Sequence, residues 1–184
     1  MIRFPYEPKA AVQTCWLLTK QLGGRANLRH ILALSYLVDR QCLIEQGVPL
    51  IGGTVVSGDY GPACLEMMRC DTKLWKESFL FEGNFSLVTN NDPGDGELSE
   101  YTEEVIAGVW AHYKRLDFDK LVPIMRGLPE WVDPCPNPKA GFYPTNIPIP
   151  YENILLLYGW DRQDIEAVRL RQEAINFMNN LMKT

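Results

Sequence analysis

Histidine is scarce in this 184-residue chain, which carries only His30 and His112. Neither stands beside a nucleophile motif, and G-x-S-x-G, H-E-x-x-H and G-x-x-x-x-G-K-[ST] are all absent. Gly52-Gly53-Thr54 is a glycine pair without the rest of a phosphate-cradling pattern, so it reads as a turn. The five cysteines (Cys15, Cys42, Cys64, Cys70 and Cys135) are an odd number without a C-x-x-C pair. Cys15 and Cys42 fall on apolar helical faces, where a thiol behaves as a small hydrophobe. No convergent set of His, Cys and carboxylates suggests a metal site. No enzyme activity, metal or other cofactor is expected.

Positive charge is also short. Lys and Arg number 18 against 23 Asp and Glu, a formal charge of −5. A surface that grips phosphates along its length needs clustered Lys and Arg, so nucleic acid is not an expected partner. No apolar run approaches the length of a membrane span. The first residues, Met-Ile-Arg-Phe-Pro, lack the apolar core of a secretory signal. A reduced, cytoplasmic protein off the membrane is the expectation.

What is present is an ordinary folding composition, 46% hydrophobic and 22% charged. A chain of this size buries most of its apolar surface without staples, and residues 1–184 read as one domain. The stretch from Asn27 to Pro62 organises it. Asn27 is a good N-cap, and Ile31, Leu34, Val38 and Cys42 follow at helical spacing. Gly47 suits a left-handed helix stop, and Pro49 cannot continue one. Val55 and Val56 suggest a short strand. Asp59-Tyr60-Gly61-Pro62 then turns the chain, with Pro62 expected to open a brief helix ending near Cys70 to Lys73.

Upstream, Pro8 opens a helix with Ala11, Cys15, Leu18 and Leu22 on one face, closed by Gly23-Gly24. From Phe79 to Thr89 the period falls towards two around Gly83-Asn84, a hairpin pattern. The acidic loop from Asn90 to Gly96 lacks calcium-loop spacing and leads to a helix capped by Ser99 or Thr102. Asp117 or Asp119 starts another helix, ending at Gly127. Seven of the thirteen prolines then fall between Pro129 and Pro150, an irregular arm. Its Trp131, Phe142, Tyr143, Ile147 and Ile149 point to an arm lying on the body. Tyr151 to Tyr158 reads as helix. Asp161 caps the last one, over residues 161–183, with Ile165, Val168, Gln172, Ile175, Met178 and Met182 on one face. The fold class is mainly α (α+β), a compact helical domain with a small β-hairpin.

Tyr36, Asp39 and Arg40 on a helix, then Gly47-x-Pro49, then Tyr60-Gly61-Pro62, resemble the signature of the Panacea domain. Leu98-Ser99 and Leu128-Pro129-Glu130-Trp131 continue the resemblance in order. It departs at Ala33, where a Lys usually lies, and at Ala63 and Cys64, where Val commonly follows the Tyr-Gly-Pro triplet. The family comprises SocA-like antitoxins, frequently encoded in prophages and other mobile elements. The resemblance implies an antitoxin of a toxin–antitoxin pair, whose partner is a cognate protein toxin encoded by an adjacent gene. It further implies neutralisation by direct contact and, in one branch, delivery of the toxin to a protease. The alternative is a phage or mobile-element protein that binds a host factor and has no cognate toxin.

The candidate partner-binding residues are Tyr36, Asp39, Arg40, Tyr60, Gly61, Pro62 and Trp131, each with a structural reading beside the functional one. Helical spacing puts Asp39 and Arg40 on the side of Tyr36. That patch either receives a partner, since Tyr and Arg are favoured anchors, or forms an internal network on the backbone of the Tyr60-Gly61-Pro62 turn. Trp131 is either an exposed anchor or a plug that ties the arm to the body. Arg162, Arg169 and Arg171 lie off the apolar face of the last helix, available to an acidic partner or to water alone.

Overall fold

The helix expected from Asn27 lies at the centre of the molecule. A computed structural model describes residues 1–134 and 146–182. In it α1 (Pro8–Gln21), β1 (Arg25–Asn27) and α2 (Leu28–Gln46) follow one another closely. Asn27 Oδ1 accepts from the Arg29 amide at 2.9 Å, and Gly47 closes α2 in the left-handed conformation. Ile31, Leu34, Val38 and Cys42 are all buried. Helix α2 packs against α1 through the buried Ala11, Cys15 and Leu18, and it also meets the later helices.

The next segment departs from expectation. Pro62 does not open a helix. It sits in β3 (Gly61–Cys64), paired antiparallel with β2 (Val55–Gly58) through a tight Asp59-Tyr60 turn, with Gly58 opposite Gly61. Proline is compatible with either role, because an edge strand leaves its missing amide unneeded. β3 is such an edge. A short 3-10 turn (Met67–Arg69) and α3 (Lys73–Ser78), capped by Thr72, replace the expected helix.

The hairpin of 79–89 forms as β4 (Phe79–Glu82) and β5 (Ser86–Thr89), with Phe85 in the connection. β1 joins it in a sheet ordered β1-β5-β4. Phe79 and Leu87 are buried, which gives the hairpin the support it lacks alone. α4 (Glu100–Tyr113) is capped by Ser99, whose hydroxyl and amide form a reciprocal box with Thr102. α5 (Phe118–Arg126) is capped by Asp117.

The arm leaves α5 at Gly127. Its described ends both lie along β2. Ser57 Oγ donates to Val132 O and accepts from Val132 N, and β6 (Ile147–Pro148) pairs with β2 antiparallel. Cys135, Phe142 and Tyr143 fall outside the described residues. α6 (Tyr151–Leu157) and α7 (Arg162–Leu181) complete the chain, the latter capped by Asp161. Ile165 and Gln172 on α7 are buried, but Ile175, Met178 and Met182 are exposed. The apolar face runs on past the body it packs against. With seven helices and two three-stranded antiparallel sheets among the described residues, the fold is mixed α+β and predominantly helical.

Candidate functional site

Helix α2 points its second half inwards. Asp39 is buried, and its Oδ1 accepts from the amides of Ile51 at 2.5 Å and Gly52 at 3.3 Å. Burial pushes this carboxyl up to about 7, against the pull of the backbone amides of Ile51, Gly52 and Leu50. Its partners are therefore the loop before β2, not the Tyr60-Gly61-Pro62 turn.

Tyr36, about one helical turn before Asp39, and Arg40, the residue after it, converge on Glu130. The Tyr36 hydroxyl donates to Glu130 Oε1 at 2.9 Å, and Arg40 Nε donates to the same oxygen at 2.5 Å. The Glu130 side chain is fully buried and that of Arg40 nearly so. The guanidinium also lies over the Tyr158 ring, 4.3 Å from its centroid. Burial first, and then the Glu130 carboxylate, raise the Tyr36 hydroxyl well above its ordinary range, so it stays a neutral donor. A desolvated ion pair with an added hydrogen bond fixes geometry more surely than it adds stability.

Trp131 follows directly. Its Nε1 donates to Gly58 O at 2.9 Å. Arg126, whose guanidinium lies 5.7 Å from the Trp131 ring centroid, donates from Nε and Nη2 to Asp59 O. The hairpin turn is thus held from two sides. Gly61 needs its freedom here: its φ is +125°, and a Cβ would stand 2.5 Å from Met125 Cβ. Strand β3 and helix α5 approach at a distance that only glycine allows.

That approach shapes a groove of about 290 Å³ beside the hairpin. The first two turns of α2 form its floor with Leu28, Leu32 and Ala33, and Gly61 to Ala63 form one wall. Met68, Phe85, Phe118 and Met125 close the sides. Tyr60, Met68 and Phe85 stay 46%, 47% and 42% exposed, although they meet at one place. Tyr60 packs edge-on against Phe118 at 5.3 Å. Among the described residues, Arg29 is the one charged residue of the lining. Its guanidinium lies 3.6 Å from the Phe85 centroid and 4.9 Å from that of Tyr60.

The seven sequence-derived residues therefore divide. Tyr36, Asp39 and Arg40 belong to internal networks, Trp131 clasps the hairpin, and Tyr60, Gly61 and Pro62 line the groove. Sequence reasoning passed over Arg29, Met68, Phe85 and Phe118, which no local period connects. Glu130 had one available signal, a carboxylate between Pro129 and Trp131 in a segment otherwise apolar.

Cys42, Cys64 and Cys70 are each pushed up to about 12 by burial, which leaves them protonated and unreactive. Burial holds His30 below its ordinary value, and its Nε2 has no partner among the described residues. No group of three or more His, Cys, Asp or Glu among those residues could hold a metal ion, and no helix there is long and apolar enough to cross a membrane.

A sequence model of one family, described as antitoxin SocA-like, Panacea domain, matches residues 34–132, a little over half of the chain. No curated protein and no solved structure matches. The matched span runs from just before Tyr36 to just past Trp131, and so contains both ends of the network built on Glu130.

Proposed function

Because the chain belongs to the antitoxin SocA-like, Panacea domain family, we propose that it neutralises a protein toxin by binding it directly, without catalysis. The toxin is the product of an adjacent gene, and the two meet in the cytoplasm as a stoichiometric complex. Family membership carries this reading, and the groove of exposed aromatic residues on a braced frame supports it. Interfaces draw their energy from a few aromatic and Arg anchors, and this surface offers both. Handover of the bound toxin to a protease is a second step that the masking reading permits.

Growth decides it. Cells expressing the adjacent gene alone should stop growing, and co-expression of this chain should restore growth, with both proteins recovered in one complex. A harmless neighbour, or rescue without a complex, would overturn the antitoxin reading. In the first case the chain would be a binder of some host factor. Loss of the toxin after co-expression, reversed in a protease-deficient host, would separate handover from masking.

A further inference from the structure

The groove has an unusual imbalance. Its lining is apolar except for Arg29, and among the described residues Arg29 has no ion pair. The guanidinium is not loose. Phe85 and Tyr60 hold it by their ring faces, which leaves its in-plane N–H groups free to form bonds. A stacked Arg at the rim of an apolar groove is complementary to a carboxylate set beside an apolar side chain.

Other occupants fit less well. A symmetric contact with a second copy would bring this patch against itself, setting one Arg29 near another with no acid among the described lining residues. The chain's own segment 135–145 contains no Asp or Glu. A nucleic acid would need a run of cations where there is one. A drug-sized molecule would need a larger space with more than one polar group to orient it.

We infer that the groove between the start of α2 and the β2–β3 hairpin takes a short segment of the toxin, in which an apolar anchor is flanked by an Asp or Glu that pairs with Arg29. The inference rests on the antitoxin reading for the identity of the partner. The anchor sits on the apolar lining around Ala33 and Met68, beside the Arg29 guanidinium that Tyr60 and Phe85 hold. The frame is set before binding, since Gly61 against Met125, Trp131 on Gly58 and Arg126 on Asp59 hold the hairpin wall. Little ordering is left to the encounter.

A phage-displayed library of random 12-residue peptides, panned on the purified full chain, tests the surface without knowing the toxin. Enriched peptides should share an aromatic, Leu or Met residue with an Asp or Glu within one helical turn. Arg29→Gln should weaken them about tenfold or more, the loss expected for a hydrogen bond to a charged group. Arg29→Glu should weaken them further, and exchanging the peptide's acid for Lys should restore binding to that variant. Both substitutions are at a surface side chain, and matching thermal melts would establish that the fold survives. No enrichment, enrichment without acids, or unchanged binding by Arg29→Gln would overturn the inference. The growth assay separates the two: full rescue by Arg29→Glu sinks the groove and leaves the antitoxin, whereas a harmless neighbour sinks the antitoxin reading and, with it, the toxin as the groove's occupant.

Discussion

Asp39 is the residue whose chemistry is most exposed to a simple test. Its folded carboxyl is raised to about 7, above the ordinary carboxylate value near 4. Between those two values the folded state keeps a proton that the unfolded chain has released, so stability falls as pH rises through that window and levels off above it. Glu45 acts in the opposite direction. Tyr101 and Gln41 hold it below its ordinary value, so its contribution is lost only under more acidic conditions. Asp39→Asn keeps an oxygen for the Ile51 and Gly52 amides but removes the proton linkage. Urea midpoints at pH 5 and pH 7.5 should differ less in the variant than in the parent. An unchanged difference would remove Asp39 as its source. The shared side was readable from the 36, 39, 40 spacing, and an internal network was one of the two roles it left open. The partners were not readable, because helical spacing says which side a residue faces and nothing about which loop folds back to meet it.

At the scale of elements, the β2–β3 hairpin carries the main lesson. A turn at Asp59-Tyr60 was legible, but the strand that starts at Gly61 and holds Pro62 was not, since proline fits a first helical turn and a sheet edge equally. The strand is held by its pairing with β2, and Met125, more than sixty residues away in sequence, leaves room only for a glycine at 61. Gly61→Ala should therefore destabilise the fold by roughly 1 to 3 kcal/mol, the usual cost of overpacking a close contact. Denaturant titration reads the loss directly, and a parent-like midpoint would mean that the hairpin can shift without penalty. β1 and β6 were invisible for a different reason. Strands of three and two residues are too short to show a period, and they exist because a neighbouring strand offers them free backbone groups. α7 was legible in its caps and its face, but a sequence period cannot show where the body ends beneath the helix.

For the molecule as a whole, one core reaches from Ile2 near the first residue to Ile165 in the last helix. We propose that residues 1–184 unfold as one cooperative unit. Tryptophan fluorescence from Trp16, Trp75, Trp110, Trp131 and Trp160, spread along the chain, should then share a single midpoint with far-ultraviolet circular dichroism. Two separated transitions would divide the chain into independent parts. The −5 charge and the composition bounded the class of molecule from the start. They could not reveal the groove, which is assembled from α2, the hairpin, the β4–β5 connection and α5, and exists only once the chain has folded.

Helix α2 divides its labour along its length. Leu28, Arg29, Leu32 and Ala33 line the groove, while Tyr36, Asp39 and Arg40 hold the chain to itself, with the boundary falling at the start of the family match. On the function proposed above, changes at Leu28, Arg29 and Leu32 alter what is bound while Ile31 beside them stays in the core. On that same proposal, selection acts on partner choice and on foldability as nearly separate traits, and a lineage exchanges one adversary for another while inheriting the scaffold intact.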